Sequence, residues 1–374
     1  MWTKISISIE TNKMAANLEN GILAIDIGSG TQDILVWRQG VAVENCPKMI
    51  LPSPTTLLAK LIRRATEHRQ HIFLKGNTMG GGPCGAAARA HIKAGLRVFA
   101  LEKAALTFND NPEKVVRMGI EIVPSMPDVE PLVELEMRDV QLDSIRDILE
   151  RFEVPLPETI LIAVQDHGYS PNASNRIRRF QMWKRALEQG DGLHHLLFSS
   201  PPENMTRMRA VKESAPNAWI MDTGAAAIIG ACLDPWIQKR MEQGIVILNI
   251  GNEHVLAALV KGTRTLGIYE HHTSLMTPAK LIDHLNRFRK GSLTNEEIFE
   301  DMGHGCFVHP EAAKLSDFDY IGITGPNRSL YNIPGGHMAA PFGDMMLTGC
   351  FGLIHSFEIK VLQGKGNGRD QETN

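Results

Sequence analysis

Two stretches of this chain repeat one pattern. GILAIDIG (21–28) turns into QDILVW (32–37), and GIVILNIGNEHVLAALVKG (244–262) does the same in the second half. Each is an apolar run, a glycine turn and a second apolar run, the signature of a buried β-hairpin. Each half also carries a helix of small apolar residues, TGAAAIIGACL (223–233) and GDMMLTGCFGLIHSF (343–357). A chain of 374 residues is too long for one ordinary core. The pattern predicts a duplicated α/β fold with one hairpin per lobe.

The pieces between fit that class. VAVENC (41–46) reads as a third strand, and TTLLAKLIRRATEH as a helix with Leu57, Leu58, Leu61 and Ile62 on one face. Residues 71–123 form an α/β stretch of their own, and the proline-rich, acidic 124–136 reads as a connection. Helix 143–152 leads into strand 158–164, loop 165–174 opens a basic helix at 175–189, and NAWIMD (217–222) is a short strand. TRTLGIYEHH reads as a third strand of the second half, and FDYIGITGPN (318–327) as a strand entering a loop. The expected organisation is an N-terminal extension at 1–20, a first lobe at 21–235 with an insertion at about 49–139, a second lobe at 236–363, and a tail at 364–374. Extension and tail read as disordered, and Met14 is an alternative start.

A net charge of −3 gives no reason to expect nucleic acid or an anionic membrane as partner. No apolar run reaches the roughly 18 residues of a membrane helix. The basic helix, with Arg176, Arg178, Arg179, Lys184 and Arg185, reads as a solvated face, since no aromatic platform accompanies the charges. Cysteines at 46, 84, 232, 306 and 350 form neither CxxC nor CxxxCxxC, which argues against a zinc knuckle or a cysteine-held iron–sulfur cluster. An odd, scattered set suits the reducing cytoplasm.

Asp26, Gly28, Ser29, Gly30 and Thr31 are the candidate site of the first hairpin. Glycines let backbone approach a phosphate, and exposed N–H groups with the two hydroxyls can coordinate its oxygens. A carboxylate just before the turn can hold Mg²⁺ through water. A tight hairpin closed by its own hydrogen bonds explains the same residues. In KGNTMGGGPCGAAARAH (75–91), Asn77, Gly80, Gly81 and Gly82 are candidates for a substrate loop before a helix, or else a close-packed turn. Asp166 and His167 follow a strand and can face a ligand or seal a turn. His167, His254, His271, His272 and His337 lack HxxxH or HxH spacing and read as hydrogen-bonded structural groups.

Five elements in order resemble the superfamily of actin, heat-shock chaperones and sugar kinases. ILAIDIGSGTQD looks like its first phosphate motif, and IVILNIGNEHVLAALV sits where the second belongs. NAWIMDTGAAAIIGACLD and PFGDMMLTGCFGLI are similar to its two connecting helices, and YIGITGPNRSL to its adenosine motif. Within that superfamily the chain resembles a family often labelled a pyruvate formate-lyase activating enzyme. Such activators are radical enzymes that need a CxxxCxxC cluster, which this sequence lacks.

The resemblance implies two ribonuclease H-like lobes closing on ATP and Mg²⁺. It implies nucleotide contacts from Asn249, Gly251, Asn252, Gly325 and Asn327, and catalysis by Asp222, which is also an ideal helix cap. The sequence departs from the superfamily at Asn249, where a carboxylate is usual, at Asp33, where a cation or hydroxyl is usual, and at Gly325-Pro326 in place of Gly-Gly. The function implied is an ATPase or phosphotransferase acting on a small acceptor or a protein partner. The alternative is a nucleotide-gated switch with little hydrolysis.

Overall fold

A computed structural model describes residues 21–188 and 192–363; the expected extension at 1–20 and tail at 364–374 lie outside them. In chain order the strands are β1 (Ile22–Ile27), β2 (Thr31–Trp37), β3 (Lys48–Pro52), β4 (His71–Gly76), β5 (Val98–Ala100), β6 (Ile120–Ile122), β7 (Leu132–Met137), β8 (Thr159–Val164), β9 (Leu197–Phe198) and β10 (Trp219–Asp222). They continue as β11 (Ile245–Ile250), β12 (His254–Lys261), β13 (Arg264–His272), β14 (Gly305–Val308), β15 (Tyr320–Thr324) and β16 (Gly336–Met338). Six helices matter to the site: α1 (Pro54–Glu67), α2 (Gly82–Lys93), α3 (Asn175–Glu188), α4 (Thr206–Ser214), α5 (Thr223–Ala231) and α6 (Thr348–Phe357).

The sheets repeat one another. The first runs β3-β2-β1-β8-β10-β9 and the second β14-β13-β12-β11-β15-β16. In each, an antiparallel hairpin comes first (β1 with β2, β11 with β12), and a later strand joins the hairpin's first strand in parallel (β8, β15). This is the actin-like arrangement of two ribonuclease H-like lobes. A separate parallel sheet, β6-β5-β4-β7, is inserted between β3 and β8.

Alternate side chains explain the layers. Ile22 and Ala24 of β1 face a central core shared with Ile245 and Ile247 of β11, whereas Leu23 and Ile25 face an outer core. Helices α5 and α6 fill the centre. They cross on glycine: a Cβ at Gly230 would lie 1.8 Å from the Thr348 carbonyl oxygen, and one at Gly352 would lie 1.8 Å from that of Ala226.

Two segments differ from the sequence reading. Residues 41–46 hold no strand but a 3₁₀ turn at Val43–Asn45. Only Val43 and Cys46 are buried there, a spacing of three that suits a turn and not an alternation. The third strand is β3, immediately after. The acidic 124–136 stretch hides β7, which lies parallel to β4. Leu135 and Met137 point inward while Glu134 and Glu136 face solvent, so the strand's charge comes from its outer face. Among the described residues no helix is long and apolar enough to cross a membrane.

Candidate functional site

A cleft of about 430 Å³ opens between the lobes, with the two glycine turns on its walls. The turns are built alike. Gly28 N–H donates to the Thr31 carbonyl at 2.9 Å, and Gly251 N–H donates to the His254 carbonyl at 2.9 Å. Those two donors are spent on closing the hairpins; Ser29 and Thr31 still face the cleft. The Ser29 carbonyl accepts from Ser53 Oγ at 2.6 Å and Thr56 Oγ1 at 3.0 Å, which pins the first turn to the start of α1. A Cβ at Gly30 would meet Asn252 Nδ2 at 2.4 Å, so the two turns touch, one from each lobe. Asn327 Nδ2 donates to the Gly251 carbonyl at 3.0 Å and braces the second turn from outside the cleft wall.

Beneath the first turn lie two carboxylates. Asp26 of β1 stands opposite Asp33 of β2 in the hairpin register, and both line the cleft. Thr223 Oγ1 donates to Asp26 Oδ1 at 2.6 Å. The other Asp26 oxygen is so close to Gly349 that a Cβ there would lie 1.8 Å from it. Asp33 Oδ1 is buried without a partner. Burial pushes Asp26 up to about 7, and burial followed by the charge of Asp26 pushes Asp33 up to about 8. Adjacent, desolvated carboxylates with an orphaned oxygen are what a hard cation such as Mg²⁺ would satisfy. The sequence pointed to Asp26 alone. The signal for Asp33 was its position, two residues past Thr31 and therefore across the hairpin from Asp26.

The second lobe lacks this pair. Asn249 occupies the place of Asp26, and the residue opposite it is Leu256. A Cβ at Gly325, whose φ is +97°, would lie 2.5 Å from Asn249 Oδ1; only glycine suits that approach.

Several candidate residues are occupied otherwise. Asp222 is fully buried and is not part of the cleft wall. Its Oδ1 accepts from the N–H groups of Gly224 (2.9 Å) and Ala225 (3.3 Å), capping α5, and its Oδ2 accepts from Arg179 Nη1 at 2.7 Å. Asp166 reaches the cleft, but its oxygens accept from the N–H groups of Gly168 (2.8 Å) and Met208 (2.9 Å). Gly80, Gly81 and Gly82 line the cleft, whereas Asn77 does not; its Nδ2 donates to the Ala210 carbonyl at 3.5 Å. The glycine loop is close-packed as well: a Cβ at Gly80 would meet the Arg207 guanidinium at 2.7 Å, and one at Gly81 the Thr107 carbonyl at 2.9 Å.

The basic helix is not a solvated face throughout. Arg179 is 1% exposed and bonds Glu270 of β13 as well as Asp222. Arg176 Nη1 donates to the carbonyls of Phe299 (3.1 Å) and Gly303 (2.6 Å) in the second lobe. A helix that binds the lobes together must carry charge inward, and that is invisible to a count of basic residues.

The histidines divide. His337 Nε2 lies 3.0 Å from Asp234 and His271 Nε2 lies 3.0 Å from Asp301, both hydrogen-bonded groups as the spacing suggested. His167, His254 and His272 instead line the cleft and converge with His304, which the sequence reading passed over. Burial holds His167 well below the usual imidazole range, lowers His254 to about 4, and lowers His304 further.

Known structures resemble the chain only in outline. MreB5 of Spiroplasma citri, bound to ADP, is 11% identical over 93% of this chain and 98% of that one, with a TM-score of 0.33. A Listeria monocytogenes protein described as "a putative N-acetylmannosamine kinase" is 10% identical over 92% and 99%, with a TM-score of 0.32. A ROK family transcriptional regulator, a homolog of the E. coli MLC protein, is 9% identical with a TM-score of 0.27; 67% of this chain spans 39% of that one. No curated protein matches the sequence. Residues 79–330 match the family described as "Putative pyruvate format-lyase activating enzyme (DUF1786)", and the chain belongs to that family.

Proposed function

We propose that the cleft binds ATP with Mg²⁺, and that the protein is an ATPase or phosphotransferase acting on a small acceptor. One observation carries the reading: the Asp26–Asp33 carboxylate pair lies directly below two glycine turns that meet from opposite lobes. Asp26 and Asp33 would hold the cation, with Thr223 fixing Asp26 in place. Bound there, Mg²⁺ would neutralise charge on the phosphates, the main demand of phosphoryl transfer. Ser29, Thr31, Asn249 and Asn252 supply hydroxyl and amide contacts to phosphate, and Gly325 and Pro326 line the cleft where the base end would rest.

The acceptor side is the Gly80–Gly82 loop. A Cβ at Gly82 would be 4.0 Å from that of Ser29, so a molecule held by the loop sits beside the terminal phosphate. Asp166 and Asp222 act as positioning residues, because their oxygens are engaged by backbone N–H groups and by Arg179. The family's label names a radical activator, but the cysteines at 46, 84, 232, 306 and 350 provide no CxxxCxxC.

Asn249 supports a second reading. With an amide in place of the carboxylate before the second turn, the protein would bind nucleotide, hydrolyse it slowly, and act as a switch on a partner. Calorimetry with ATP and ADP, with and without Mg²⁺, tests the common core of both readings. Saturable binding that needs Mg²⁺ and is lost in Asp26→Ala is expected; no saturable nucleotide binding would sink both. Phosphate release then separates enzyme from switch.

A further inference from the structure

We propose a second metal site in this protein, for a divalent transition ion of the zinc class, held by His167, His254 and His304. It is independent of the nucleotide reading and of the Asp26–Asp33 pair.

The three rings come from three separate places. His167 lies in the loop after β8 in the first lobe, His254 opens β12, and His304 directly precedes β14 in the second. Their ligating nitrogens all lie within 4.8 Å of one another. A tetrahedral ion at about 2.1 Å from each nitrogen needs them about 3.4 Å apart, so binding closes the widest pair by at most roughly 1.4 Å. Imidazole nitrogens suit Zn²⁺ and its first-row neighbours rather than Mg²⁺.

The second observation is unmet hydrogen bonding. His304 is 1% exposed, and neither of its ring nitrogens has a partner; His254 Nε2 is buried and also lacks one. Buried polar groups are nearly always satisfied, so three orphaned nitrogens in one cluster call for a ligand. The three rings lie 4.8–5.9 Å apart by centroid.

The surroundings hold the ligands. Two carboxylates, Glu270 and Asp222, balance the two guanidiniums nearby, and Arg179 bonds both of them. The other nearby cation, Arg176, is engaged by the Phe299 and Gly303 carbonyls, and thereby fixes the loop just before His304. His304 N–H donates to the Glu270 carbonyl at 3.0 Å. Asp166 fixes the turn that presents His167. His272, 4.9 Å by centroid from both His254 and His304, stands next to the group. Three histidines with a fourth position open to the cleft is the pattern of an ion that meets a ligand. The ion would also staple the lobes, and His254 would link it to the second glycine turn, whose hydrogen bond its carbonyl accepts.

The test uses the full chain, stripped with a chelator and titrated with Co²⁺ and Zn²⁺. One equivalent of Co²⁺ with tetrahedral ligand-field absorption is expected, displaced by Zn²⁺. His167→Ala and His304→Ala should each weaken Zn²⁺ binding at least about 100-fold, while His309→Ala and Asp26→Asn leave it unchanged. Absence of a stoichiometric Co²⁺ spectrum in the wild-type chain would overturn the site even if His304→Ala fails to fold. So would His167→Ala binding as tightly as wild type.

Discussion

Arg179 of the first lobe and Glu270 of the second meet across the lobe boundary, with Arg179 Nε 2.8 Å from both carboxylate oxygens and each residue 1% exposed. Trp183 Nε1 donates to the same carboxylate at 3.2 Å. Although burial works against it, Arg179 holds Glu270 below the usual carboxylate range. Removing one partner of a buried pair strands the other's charge, at roughly 3–5 kcal/mol. Arg179→Met strands two carboxylates, Glu270 and Asp222, and is expected to lower unfolding stability by at least that much in urea. The double variant Arg179→Met/Glu270→Leu should recover part of the loss. If Arg179→Met unfolds at the wild-type urea concentration, the strap does not hold the lobes.

The Asp26–Asp33 pair sets a pH dependence with a definite sign. Both carboxyls have folded values raised above the unfolded one, to about 7 and about 8, chiefly by burial. The folded state therefore binds more protons than the unfolded state between about pH 4 and pH 8, and stability from this pair falls as pH rises through that window. The Thr223 and Thr31 hydroxyls temper it by favouring the charged forms, while the charges of Asp222 and Asp344 add to it. A cation neutralises the pair, so Mg²⁺ should raise Tm more at pH 8 than at pH 5. In Asp26→Asn/Asp33→Asn that difference should vanish. An equal Mg²⁺ effect at both pH values would place the ion elsewhere.

Helices α5 and α6 approach closely enough to be a test of packing by one methyl. In Gly352→Ala the added carbon would meet the Ala226 carbonyl oxygen at 1.8 Å, and no rotamer can relieve a clash of Cβ with backbone. The helices must part, opening the central core; overpacking of this kind costs about 1–3 kcal/mol or more. Gly40→Ala meets nothing within 4 Å and, despite its φ of +77°, should cost less. Comparing their melting temperatures checks the crossing.

The fold was legible because its strongest signals are local. GILAIDIG and GIVILNIG carry their own strand, turn and burial pattern, and their repetition announced the duplication. The small residues of TGAAAIIGACL and TGCFGLI likewise marked the two helices that the structure packs glycine against backbone. What escaped depends on partners distant in sequence. Arg179 looks like any basic helix residue until β13 brings Glu270 to it, 91 positions away. His304 has no spacing relative to His167 or His254, because the ring group is assembled by tertiary folding. Asp33 looked like a defect in a phosphate motif, and only the hairpin register makes it a partner of Asp26. The β7 strand was masked by the charge of its own solvent face.

Asn249 offers the sharpest functional contrast between the lobes. It matches Asp26 in the sheet, lines the cleft, and presents its Oδ1 towards Gly325. Aspartate has nearly the same shape, so Asn249→Asp needs no repacking, but it adds a charge that can orient water or a cation near phosphate. If the missing carboxylate limits turnover, Asn249→Asp should raise Mg²⁺-dependent phosphate release roughly tenfold, which corresponds to about 1.4 kcal/mol of barrier. Nucleotide affinity, which rests on the Asp26 side, should change little. Steady-state phosphate release and calorimetry on the same preparation separate the two effects. Weaker nucleotide binding with unchanged turnover would mean that Asn249 serves to avoid repulsion of phosphate rather than to restrain hydrolysis.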